Sequence, residues 1–303
     1  MGLVFIRVLL IFLMLTSTAA QTLGQSIVLG VLEDVPGDYA GASNSHGVRV
    51  VFQKQGTNWQ AFPSNCVDQD CLKTVASQYP QEVVWTIAFD GRSLGQITGR
   101  TPKDFSFYSH VGLQEVVGEG SVPAIGKKST EYGGFDGASV YRPLVANSQP
   151  YFKDPESWKP AQPSADLVRL LRRQFRQKFP KLCKASKQDE AKLEPFLYRD
   201  QDIKLVKAYA SKKGWTLARL HLAQATHCDD AEADFEIGDT WFVAGPQNSV
   251  QYLDQGMWLV DAGDYDNDGK SELIFSIDRY NSGGYELFYD DFTKHVIFEF
   301  GYH

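Results

Sequence analysis

Asp264, Asp266 and Asp268 place three carboxylates at alternate positions of the segment D-A-G-D-Y-D-N-D-G-K-S-E-L, residues 261–273. Gly269 lets the chain turn through positive φ immediately after them, and Glu272 adds a fourth acid. Hard-oxygen side chains spaced i, i+2 and i+4 around a tight turn suit a hard divalent cation that takes six to eight oxygens, and the ion implied is calcium. A backbone carbonyl at Lys270 completes the expected set of Asp264, Asp266, Asp268, Lys270 and Glu272. Without a cation such a loop opposes itself. Two unit charges about 4 Å apart repel by roughly 1 kcal/mol in water and about 4 kcal/mol near a protein surface.

The elements that position these groups read as strands. An EF-hand needs a helix on each side and an acid at the twelfth loop position, where this chain has Phe275. Met257 to Val260 precedes the loop, and after it Leu273, Phe275 and Ile277 alternate with Ile274, Ser276 and Asp278 in the period of a strand. Asn281-Ser-Gly-Gly predicts a turn, Tyr285 to Tyr289 a third strand, Phe292-Thr-Lys another turn, and Val296, Phe298, Phe300 and Tyr302 a last strand. Four antiparallel strands with an acidic loop between the first two resemble one blade of the FG-GAP or VCBS family, which includes the integrin alpha-subunit propeller. The resemblance covers only the C-terminal part of the chain. It implies a propeller blade whose loop binds calcium through the side chains of Asp264, Asp266, Asp268 and Glu272 and the carbonyl of Lys270. No second D-x-D-x-D-G occurs in the chain.

The N-terminus carries Arg7, an apolar run from Val8 to Leu15, and small residues up to Ala20, the pattern of a signal peptide spanning 1–20. Secreted or periplasmic localisation follows as the expectation, and no later segment is apolar enough to span a membrane. Cys66, Cys71, Cys183 and Cys228 form an even set, which in an exported chain predicts disulfides of open connectivity. Zinc is the competing reading for these thiols, but their spacing lacks the usual C-x-x-C. A formal net charge of −7 argues against nucleic acid as partner, because phosphate contacts rely on clustered Lys and Arg. Aromatics at 13% and 26 glycines suit many short strands and turns.

Upstream, hairpins recur. Val48–Phe52 leads through Lys54-Gln-Gly-Thr to Trp59, and Val83–Phe89 through Asp90-Gly-Arg to Leu94 and Ile97. Ile203–Tyr209 pairs across Ser211-Lys-Lys-Gly with Trp215–Leu222, and Trp241–Val243 with Val250–Leu253. From Arg142 to Ser164 five prolines argue against any central strand and predict an extended surface crossing. Val168, Leu171, Phe175 and Phe179 then recur at helical spacing, with Ser164 or Asp166 as cap and Pro180 as stop. The opposite face of this helix, with Arg169, Arg172, Arg173 and Arg176, is read as solvated, with anionic lipid or polysaccharide as the alternative. The expected architecture is all-β, mostly antiparallel and β-propeller-like, with one amphipathic helix inserted mid-chain. Its regions are the leader 1–20, an N-terminal hairpin region 21–141, a proline-rich crossing plus helix 142–199, and a C-terminal β region 200–303 holding the loop.

Sequence signatures of catalysis are sparse. The chain has no H-E-x-x-H, no G-x-S-x-G and no G-x-x-x-x-G-K-[ST]. His221, His227 and Cys228 cluster, yet at a spacing that suits neither a helix face nor a tetrahedral metal site. Glu33 with Asp34 and Asp38 could serve glycoside chemistry, which needs two acids about 5 to 10 Å apart. Tyr151, Phe152 and Trp158 in the crossing either offer an aromatic binding face or pack onto the core, and the acidic run 229–236 reads as an exposed loop. The function implied is an exported calcium-binding module that engages a protein or carbohydrate. The alternative is a secreted hydrolase, most simply a glycosidase, with structural calcium.

Overall fold

The computed structural model describes residues 26–35, 45–64, 69–101, 110–118, 121–132, 139–150, 152–186, 192–228, 237–247, 249–279 and 281–301. The segment read as a leader, 1–20, lies outside them, as do Cys66, Asp38, Tyr151 and the acidic run 229–236. The described chain is mostly antiparallel β, with two α-helices.

The N-terminal strands are β1 (Val28–Val35), β2 (Ser45–Gln55) and β3 (Asn58–Ala61), followed by a short helix α1 (Gln69–Ala76) and then β4 (Glu82–Phe89), β5 (Arg92–Arg100), β6 (Leu113–Val117) and β7 (Leu144–Asn147). They hydrogen-bond in the order β1-β7-β4-β5-β6-β2, and pairing of β1 with β2 closes a six-stranded barrel. Closure removes the free edges that a flat sheet would expose. Trp85 fills part of the interior, its Nε1 donating to Gln114 Oε1 at 2.9 Å. Glycine makes room for that ring: a Cβ on Gly99 would lie 2.6 Å from the indole nitrogen. β3 extends β2 beyond the closure and forms the tip of the predicted Lys54–Trp59 hairpin.

One expectation is met in part and one changes. The antiparallel β class is found, but six of the first seven strands close into a barrel with β3 outside the closure, and no propeller is shown among the described residues. The crossing also contains a central strand: β7 fits in the four residues Leu144–Asn147 between Pro143 and Pro150, all buried and paired to β1 and β4. The prolines bracket the ladder without entering it, so no hydrogen bond of the strand is lost.

The next strand, β8 (Lys159–Pro160), is a two-residue edge, a position that tolerates proline. Helix α2 (Ala165–Lys178) starts where predicted, the Ser164 side chain accepting the Leu167 N–H, and it turns Leu171 and Phe175 inward. Of its basic face, Arg169 pairs with Asp166, Arg172 donates to the Ile203 carbonyl and Arg176 donates to Asp200. A small ribbon, β9 (Cys183–Ala185) with β10 (Leu193–Pro195), follows. β11 (Lys204–Ala210), β12 (Thr216–His221), β13 (Asp239–Ala244) and β14 (Val250–Gln255) then form a meander with β8 at its edge. The last meander comprises β15 (Met257–Gly263), β16 (Glu272–Arg279), β17 (Ser282–Tyr289) and β18 (Lys294–Gly301).

The last sheet is the centre of the molecule. Leu273, Phe275 and Ile277 of β16 pack with Leu217, Trp241 and Val243 of the middle sheet. Ile274 of β16, with Tyr285, Leu287 and Phe298, packs against the barrel. Strand alternation thus sends successive apolar residues to two different cores, which is why β16 is apolar on both faces. On its other side the middle sheet meets α2 through Phe175, Phe179, Leu220 and Phe242.

Candidate metal centre

The acidic segment forms the loop between β15 and β16, as its flanking alternation predicts. Its own carboxylates shape it. Asp264 accepts the N–H groups of Asp268 and Gly269, each at 3.0 Å, and Asp268 accepts that of Lys270 at 2.8 Å. Asp266 takes the Asp268 N–H at 3.2 Å. Such side-chain-to-backbone bonds curl a chain locally, and here they need left-handed backbone at Asn267 (φ 62°) and Gly269 (φ 88°). The base of the loop is anchored in the core. The Asp264 N–H donates to the Lys153 carbonyl at 2.8 Å, and Asn147 of β7 donates to the Tyr265 carbonyl at 2.9 Å. The buried Tyr265 ring stacks on Phe152.

One carboxylate oxygen from each of Asp264, Asp266 and Asp268 lies within 4.8 Å of the others. Asp264 is buried, Asp268 is exposed, and Asp266 lies between them with its side chain only 3% exposed, so the cluster is open on the Asp268 side. Burial, reinforced by the charges of Asp266 and Asp268, raises the Asp264 carboxyl above its ordinary value. Glu272 does not belong to that mutually close group. It is 2% exposed at the start of β16, accepts the Tyr265 N–H at 2.8 Å, and is held well above its usual range by burial and then by the negative charge of Asp266. The Lys270 ammonium turns outward to Asp290 and Asp291 at 2.6 and 3.3 Å.

Sequence reading missed one member of the site. The Lys54 ammonium, at the end of β2, pairs with Asp266. The two residues are 212 positions apart, and nothing local marks Lys54 as more than a turn residue.

The other candidates resolve individually. Glu33 is held by Arg49 at 2.6 Å, while Asp34 takes His46, Lys128 and the Tyr141 N–H. Neighbours on a strand face opposite ways, so these two acids do not converge across a sugar. Cys183 and Cys228 form a disulfide, which removes both thiols from the zinc reading, and no described cysteine is free. His221 instead meets Asp239 at 3.0 Å, and His227 lies against Phe179. Trp158 is buried and Phe152 partly so, and both pack onto core clusters. No helix among the described residues is long and apolar enough to cross a membrane.

Fold and site together define a mostly antiparallel β protein, a closed barrel joined to two stacked sheets, with a cluster of three aspartates able to hold a metal ion. The chain matches no protein-family model, no curated protein and no solved structure, so its reading rests on its own geometry.

Proposed function

We propose that the chain is an exported calcium-binding β protein that acts as a binding module for a protein or carbohydrate, with its last sheet an FG-GAP- or VCBS-like blade. The observation that carries the ion is the convergence of three aspartate oxygens within 4.8 Å in a loop already curled by its own hydrogen bonds. Calcium fits this donor set better than magnesium, which keeps several waters and binds through one or two carboxylates. Asp264, Asp266 and Asp268 supply the first oxygens, with Glu272 and the Lys270 carbonyl as the remaining protein ligands. The role is structural: the ion neutralises a loop placed between the two strands on which both cores pack.

The Cys183–Cys228 disulfide supports an oxidising compartment. For the partner, half-buried Tyr132, Tyr209 and Trp258 lie together at a small surface recess beside Lys207, a combination of aromatic and cationic groups that sugars and protein side chains use. Calorimetric titration of chelated protein with calcium tests the ion directly. Saturable heat at one site per chain is expected, and a titration indistinguishable from dilution ends the reading.

A further inference from the structure

We propose that Lys54 sets the affinity of this site: its ammonium is a tethered monovalent cation that an incoming divalent ion must displace from Asp266. The inference rests on the calcium reading above and adds to it a competitor supplied by the barrel.

Four observations carry it. First, the Lys54 ammonium pairs with Asp266 Oδ2, and the two side chains are only 14% and 3% exposed. Second, Lys54 is held in place, its nitrogen 5.1 Å from the Trp59 ring centre and 5.7 Å from that of Tyr289. A lysine lodged between two aromatic faces is positioned by packing and by the attraction of ring quadrupoles, unlike a freely moving surface lysine. Third, both Asp266 oxygens are engaged, Oδ2 by Lys54 and Oδ1 by the Asp268 N–H at 3.2 Å. An ion that recruits Asp266 must therefore share the carboxylate with an ammonium or expel it. Fourth, charge balance leaves room for a larger cation. Among the described residues Lys54 is the only basic side chain paired with the three aspartates, because the Lys270 ammonium is turned to Asp290 and Asp291. Glu272 lies buried against the same loop, one oxygen bonded to the Tyr265 N–H.

One positive charge against this many carboxylates lowers their mutual repulsion without cancelling it. Lys54 thus steadies the ion-free loop and weakens ion binding by the same interaction. Because Lys54 belongs to the barrel and Asp266 to the last sheet, exchange at the loop also loosens one tie between them. The bond from Lys294 Nζ to Asn58 Oδ1, 3.2 Å, still holds the hairpin tip.

The test is calcium calorimetry on the full chain, stripped with chelator, for wild type, Lys54→Met and Lys54→Arg, with tryptophan fluorescence compared between wild type and Trp59→Phe. Lys54→Met keeps the length of the side chain and removes its charge, and it is expected to bind calcium roughly tenfold more tightly. Lys54→Arg keeps the competing charge on a planar head that can pair with a carboxylate through two donors, and is expected to bind calcium no more tightly than wild type. Calcium should change the emission that Trp59 contributes, read as the difference between wild type and Trp59→Phe, as the neighbouring ammonium leaves. Equal or weaker calcium binding by Lys54→Met, with wild-type binding intact, overturns the competitor role and leaves the calcium reading standing. An unchanged Trp59 signal at saturating calcium also overturns it. Absence of calcium binding in all three proteins overturns both.

Discussion

Replacing Asp261 by Asn should stabilise the protein at alkaline pH and leave its stability nearly unchanged near pH 4. Asp261 lies at a bulge of β15, where the sheet meets the barrel, and is 6% exposed. One oxygen accepts the Asp90 N–H from the β4–β5 turn at 3.1 Å, and the other has no hydrogen-bond partner. Arg142 is nearby but gives its hydrogen bonds to the Leu259 and Val260 carbonyls, at 3.1 and 2.7 Å. Asp90 and the Tyr265 hydroxyl add negative or unionised neighbours that do not help the carboxylate. Burial is the dominant effect and pushes Asp261 from 3.8 up to about 7. The folded state therefore prefers the protonated acid. Its destabilisation is absent below pH 4, grows between pH 4 and 7, and is complete above that. A displacement from 3.8 to about 7 corresponds to about 4 kcal/mol when both states are ionised. Local relaxation and water entry reduce this, so about 2 kcal/mol or more should be seen at pH 8. Asn keeps an acceptor for the Asp90 N–H and removes the charge. Urea unfolding of wild type and variant in chelator, from pH 4 to 8, measures the difference. A variant no more stable at pH 8, or a difference independent of pH, refutes the reasoning.

Two further substitutions probe the scaffold. Gly284→Ala should destabilise by about 3 kcal/mol or more in denaturant unfolding, because its Cβ would lie 2.0 Å from the Phe298 carbonyl oxygen and backbone cannot easily yield. A loss below about 0.5 kcal/mol would contradict the packing of β17 on β18. The double change Cys183→Ser with Cys228→Ser opens a cross-link of sequence separation 45 and should lower stability by about 4 kcal/mol in the loop-entropy treatment. An unchanged unfolding midpoint in the unreduced protein would show that this cross-link contributes nothing.

Much of this fold was legible because its signals are local. The hairpins at Lys54–Trp59, Asp90–Arg92 and Ser211–Gly214 each join two alternating runs through turn residues, and all three are found. The cap, inward stripe and stop of α2 lie within sixteen residues of one another. Where the sequence misled, a distant partner decided. Gly283 and Gly284 look like part of a turn after Asn281, yet they belong to β17 and pair with Phe300 and Glu299. Asn281 takes left-handed backbone in the turn, at φ 60°, and Gly284 is required by the closeness of the next strand. β7 was hidden by the prolines on either side, and α1 by its brevity, eight residues with Val75 as its buried apolar contact. Closure of the barrel depends on β1 pairing with both β2 and β7, a relation no local pattern records. In the site, the three aspartates could be read from spacing alone. Lys54 could not, because it reaches the loop only after barrel and sheet have docked.

Thermal unfolding of wild type and Asp264→Asn, each in chelator and in millimolar calcium, tests the central claim most directly. Ion present at about 100 times its dissociation constant should stabilise the wild type by about 2.7 kcal/mol, a rise of several degrees in midpoint. Asp264→Asn should show almost none of that rise. A wild-type midpoint identical in calcium and chelator would contradict the assignment of this loop as a metal centre.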